Sequence, residues 1–171
     1  MSFSLARILG AVQLETREFL TPIIIRVIGI PGAQGSKRLT RYGSLIESSK
    51  KVQPWRQDIR HASLESYEYE PIDGPCHVEI DFLFPRPKSH FGTGKNSGRI
   101  KPSAPHFLTS HAVGDIDKLC RSTLDGLAVT TGGTVLKDDS FVVSLTAVKK
   151  YVERNEHPGA VIHILPYSLT Y

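Results

Sequence analysis

Between residues 22 and 30 the chain reads PIIIRVIGI, a β-branched apolar run that stops at Pro31-Gly32; this predicts a strand closed by a turn. CHVEIDFLF, residues 76–84, alternates apolar and polar positions up to Pro85, the pattern of a half-buried strand. Two later runs, SFVVSLTAVKKYV and AVIHILPY, flank the turn signal EHPG and predict an antiparallel pair. Helical spacing occupies two other windows. VQPWRQDIRHASLESY, residues 52–67, predicts a helix that starts near Pro54, since proline is tolerated in a first turn. Over 115–128, Ile116, Leu119, Cys120, Leu124 and Leu127 share one helical face, and TTGG at 130–133 ends that helix.

Two stretches carry no period. PGAQGSKRLTRYGSLIESSKK, between the first strand and the first helix, reads as a basic loop rich in glycine and serine. Pro85 to Gly114 reads as a long loop, and loops of that length inside a compact domain tend to be functional. Residues 1–20 are expected to be an arm or a short helix, and 21–171 a single domain, because 171 residues with 40% hydrophobic content suffice for one ordinary core.

The formal net charge of +4 favours an acidic partner, of which nucleic acid is the commonest. Cys76 and Cys120 stand far apart, without CxxC spacing or a histidine cluster beside them. That argues against a disulfide framework or a zinc site and for a reducing, cytoplasmic setting. Arg7 interrupts the short N-terminal apolar run and no cleavage pattern follows it, so it does not read as a signal peptide. No stretch approaches the roughly 20 apolar residues that cross a bilayer, so the expectation is a soluble protein with no membrane partner.

Against this basic background, five of the eight aspartates (Asp115, Asp117, Asp125, Asp138 and Asp139) fall within 25 residues. Like charges held together cost folding free energy unless something positive lies among them. Side chains account for part of the cluster. Asp115 is expected to cap the helix, Asp117 to sit in the positive end of its dipole, and Arg121 to lie between Asp117 and Asp125 at i, i+4 spacing. Asp138 and Asp139 precede a strand, where no helix dipole is predicted. Carboxylates converging from a helix start and a strand start would suit a hard divalent cation, held by one or two carboxylates together with water and substrate phosphate.

The long loop supplies the complement. No acidic residue occurs between Asp81 and Asp115, while Arg86, Lys88, Lys95, Arg99 and Lys101 do, and Lys37, Arg38 and Arg41 begin a second basic run. Two acid-poor basic loops favour a phosphate backbone as partner. Carboxylates and a metal flanked by such loops are the arrangement of metal-assisted phosphodiester hydrolysis.

DIDKLCRSTLDGL followed by KDDSFVV, supported by GSKR, PWR, FLFPRPKSH and HPGAVIHI, resembles the RusA-type Holliday junction resolvases, which include many phage members. The resemblance runs from about Ile23 to Leu165. It implies an α+β fold in which a small mixed sheet of about four strands carries two main helices, assembled as a homodimer. It implies that Asp115, Asp117 and Asp139 bind Mg²⁺, with Mn²⁺ as substitute, and that Arg121 occupies a position where a catalytic lysine is common. Arginine does not readily give up a proton, so charge stabilisation or orientation of the carboxylates is the role expected of it. Lys37, Arg38, Arg86, Lys88 and Lys95 are expected to hold DNA. Val113-Gly114 stands where Lys-Pro or Arg-Pro is common in the family, and Phe141 where a small polar residue or glutamine is. The implied activity is resolution of four-way junctions by paired hydrolysis; the alternatives are a non-catalytic DNA-binding protein and a nuclease for other branched or single-stranded nucleic acid.

Overall fold

The computed structural model describes residues 21–35, 37–39, 41, 45–47 and 49–167; the expected arm at 1–20 lies outside them. In chain order the elements are β1 (Ile23–Ile28), β2 (Lys37–Leu39), β3 (Leu45–Glu47), α1 (Val52–Ser66), β4 (Cys76–Phe84), α2 (Ile116–Leu127), β5 (Val142–Tyr151) and β6 (Gly159–Pro166). Four strands form one mixed sheet in the order β1-β6-β4-β5, and β2 and β3 form a separate antiparallel hairpin within the segment expected to be loop. This is the α+β arrangement that the sequence predicts, with two helices on a four-stranded sheet.

The pairing differs from expectation at one point. β5 and β6 do not pair with each other; β6 lies between β1 and β4, antiparallel to both, and β5 runs parallel to β4 on the outside. A parallel neighbour requires a crossover, and the long loop with α2 supplies it. The segment 152–158 then steps past β4, about 10 Å of lateral travel at the usual strand spacing, which seven residues span easily. A short turn signal therefore marked a change of strand position and no hairpin.

Strand parity decides what is buried. Ile25 pairs with Ile162, Ile162 with Ile80 and Ile80 with Ala147, and the first three of these are fully buried in one apolar cluster with Val78, Phe82, Ile164, Trp55, Ile59, Leu119 and Leu127. The opposite parity, Ile24, Arg26 and Ile28 on β1 with Glu79 on β4 and Thr146 on β5, is exposed. Both helices thus cover one face of the sheet.

The seam between the helices is built from the residues of the PWR and STLDGL motifs. Trp55 Nε1 donates to Thr123 Oγ1 at 3.0 Å, and Thr123 in turn donates to the carbonyl of Leu119. Arg56 pairs with Asp125, both largely buried. Gly126 lets the helices close, because a Cβ there would meet Ile59 at 2.9 Å. Asp125, expected beside Arg121, thus faces α1 and pairs with Arg56.

Candidate active site at the start of the second helix

The turn before α2 is fixed from three sides. Gly114 has φ +88°, a conformation closed to proline and strained for other L-residues, and a Cβ on it would meet the Ala33 Cβ at 2.3 Å. The main-chain N–H of Gln34 donates to the carbonyl of Lys118 at 3.1 Å, so the loop after β1 docks on the first turn of the helix. From the sheet, Lys149 Nζ donates to the carbonyl of Gly114 at 2.9 Å. Val113-Gly114 is thus the local solution by which this chain launches α2 against Ala33.

Asp115 occupies the N-cap position, yet its carboxylate makes no cap hydrogen bond. It accepts instead from Lys118 Nζ at 2.8 Å, which corrects the expected capping role. Bonding and attraction from Lys118 hold the Asp115 carboxyl below the usual carboxylate range, and His111 and Lys149 add to this. Reciprocally, Asp115 raises the pKa of Lys118. Part of the positive charge that the aspartate cluster calls for is therefore lysine.

Asp117, one position into the helix, lines a cavity of about 440 Å³ with Arg121, Asp139, Ile116, Cys120, Leu124, Leu145 and Ala147. Asp139 reaches it from a single 3₁₀ turn, Asp139–Phe141, that leads into β5. Asp138 caps that turn: its carboxylate accepts from the Ser140 N–H at 3.0 Å, and hydrogen bonds from Ser140 hold its pKa below the ordinary value. Cys120 belongs to the apolar wall; burial, with the Asp117 charge, pushes its thiol up to about 11, so it stays protonated and unreactive at neutral pH.

Asp117 and Asp139 are hard oxygen donors on one cavity, the chemistry that Mg²⁺ accepts from a protein when water and phosphate complete its shell. Asp115 is turned away to Lys118. Among the described residues no group of three or more His, Cys, Asp or Glu side chains is gathered closely enough to hold a metal ion.

The basic residues divide. Lys88 and Lys95 lie exposed on the long loop, each in a single 3₁₀ turn. Arg86, expected on the DNA-binding surface, is 3% exposed, and its donors go to the carbonyls of Val152 and Pro105 and to Glu153. It stacks over Tyr151 at 5.5 Å and anchors the base of the loop. Lys37 and Arg38 fall on β2, whose side chains lie outside the described part.

Sequence reasoning missed Gln34, Lys118 and Lys149. For Lys149 a signal existed: it pairs with the buried Phe82, so it is a lysine at an inward position of a strand.

The family model of endodeoxyribonuclease RusA matches residues 29–165, from the end of β1 to the end of β6. The chain belongs to the RusA family. Membership identifies it as an endodeoxyribonuclease, and the matched span contains every carboxylate and cation of the site described above. No curated protein matches the chain. Among the described residues of this RusA-family chain, no helix is long and apolar enough to cross a membrane.

Proposed function

We propose that the protein is a Mg²⁺-dependent endonuclease that resolves four-way DNA junctions, with Mn²⁺ able to replace Mg²⁺. The observation that carries this reading is the shared cavity of Asp117, Asp139 and Arg121 in a RusA-family chain. Asp117 and Asp139 would hold the cation, joined by Asp115 once Lys118 releases it. When bound, such an ion activates water and neutralises charge on phosphoryl oxygens.

The remaining work falls to the chain itself. Arg121 lines the same cavity as both carboxylates, where its guanidinium would stabilise the charge that builds on the attacked phosphate. Ile116, Leu124, Leu145 and Ala147 give the cavity one apolar side, so its polar contacts come from the two carboxylates and Arg121. Lys88 and Lys95, with Lys37 and Arg38, hold the flanking backbone. A junction has approximate two-fold symmetry and needs paired cuts, so a homodimer with two such centres fits the task.

The test presents purified wild type and Asp117→Asn to a labelled four-way junction and a linear duplex in Mg²⁺. Symmetric nicking of the junction alone, by wild type alone, is expected. Equal cutting of both substrates overturns the junction assignment, and junction binding without any cutting in Mg²⁺ or Mn²⁺ leaves a non-catalytic DNA-binding protein.

A further inference from the structure

Asp117 and Arg121 stand one helical turn apart and form a ridge between two cavities. One is the cavity that Asp139 lines. The other, of about 380 Å³, is lined by Gln34, Gly35, Asp117, Lys118 and Arg121. Among the described residues its lining holds two cations against one carboxylate, which suits an anion.

Gln34 marks what this second cavity lacks. Its Oε1 is buried and finds no hydrogen-bond partner among the described residues, although its main-chain N–H is already fixed to α2. Buried acceptors in folded proteins are paired, so an orphan on a residue that lines a cavity marks where a donor arrives. A donor is at hand. Lys118 lines the same cavity, carries three N–H groups on a flexible stem, and spends one on Asp115 in an exposed pair three residues back. Exposed pairs of this kind are weak and easily exchanged.

We propose that this cavity is a subsite for a backbone phosphate of the DNA, and that Lys118 turns into it when the phosphate arrives, donating to the phosphate and to Gln34 Oε1 and releasing Asp115. The proposal rests on the reading of this centre as a DNA-cleaving site and adds an order of events to it. Before DNA binds, Lys118 neutralises Asp115. Afterwards Asp115 is free beside Asp117, so phosphate and cation favour each other's binding by the same factor. Gln34 acts as a positioning residue, since it holds the turned ammonium and leaves the reacting atoms to others.

Two binding measurements on the full chain, neither requiring turnover, test this. The first follows junction binding in EDTA across a salt series. Lys118→Gln is expected to reduce the slope of log affinity against log salt by about 0.9, one phosphate contact, while Gln34→Ala weakens binding severalfold with the slope nearly unchanged. The second titrates Mn²⁺ without DNA, where Lys118→Gln is expected to bind severalfold tighter than wild type and Gln34→Ala like wild type. An unchanged salt slope for Lys118→Gln, an exposed position whose substitution leaves the fold intact, overturns the subsite. A lowered slope with no Mn²⁺ binding in any variant, Asp117→Asn included, keeps the phosphate subsite and overturns the metal-dependent reading instead.

Discussion

Lys149 Nζ donates a 2.9 Å hydrogen bond to the carbonyl of Gly114, so a lysine from β5 holds the turn from which α2 and its aspartates start. Lys149→Met removes that support and the positive charge near Asp115. Displacing a reacting group by about 1 Å costs on the order of 100-fold in rate, and a loss of roughly 10- to 100-fold in single-turnover junction cleavage is expected. Lys149→Arg, which keeps charge and donors, should recover part of it. Equal rates for wild type and Lys149→Met would remove the lysine from this role.

Gly114→Ala puts a methyl group against Ala33 at a backbone conformation that alanine resists. A destabilisation of about 1–3 kcal/mol is expected from strain of this kind. Urea unfolding should show it as a lower midpoint with an unchanged slope, and an unchanged midpoint would mean that the turn relaxes freely.

Arg86 and its neighbours Lys88 and Lys95 should separate cleanly, although all three are loop cations. Arg86→Ala removes a nearly buried side chain and its hydrogen bonds to the Val152 and Pro105 carbonyls at the loop base, and is expected to cost about 1–3 kcal/mol of stability. Lys88→Ala and Lys95→Ala should leave stability within about 0.5 kcal/mol, the range for exposed positions. Each should flatten the salt dependence of DNA binding by about 0.9 in slope. Thermal melts and a salt series on the same variants decide it.

Asp115 and Asp138 have depressed pKa values in the folded protein, through Lys118 and Ser140 respectively. The sign follows from linkage: a carboxyl with a lower pKa in the folded state contributes stability above its unfolded value and loses it as pH falls through the folded one. Asp138→Ala should therefore cost stability at pH 7 and progressively less below pH 4. A penalty independent of pH would mean that the capping oxygen matters without its charge. Carboxyl titration followed by NMR should place both groups below the ordinary aspartate value.

The sequence made β4 legible to the residue and both helices nearly so, because period-two and helical patterns are local. It did not reveal that β6 enters the middle of the sheet, since pairing partners lie far apart in the chain and a turn of seven residues permits either a hairpin or a step across a strand. The hairpin of β2 and β3 was hidden by its own composition, with three-residue strands inside a run of glycine, serine and basic residues. Asp117 and Asp139 could be nominated together from motif and charge. Lys118 on Asp115 and Arg56 on Asp125 could not, because charge counted along a chain does not say which partners folding brings near. Arg86 shows the same limit: a basic residue in a polar loop looks exposed until the carbonyls around it are seen.

The placement of β6 bears on the order in which the sheet is completed. Among the described residues β1 pairs with β6 alone, the last of the sheet's four strands in chain order, so β1 waits unpaired until the other three have been made. The loop after β1 docks on the first turn of α2, so this docking joins a strand that is fixed only by β6 to the helix that carries the aspartates. The edge of the sheet beside which the approach to Asp115 and Asp117 is built is thus completed only once β6 has been made.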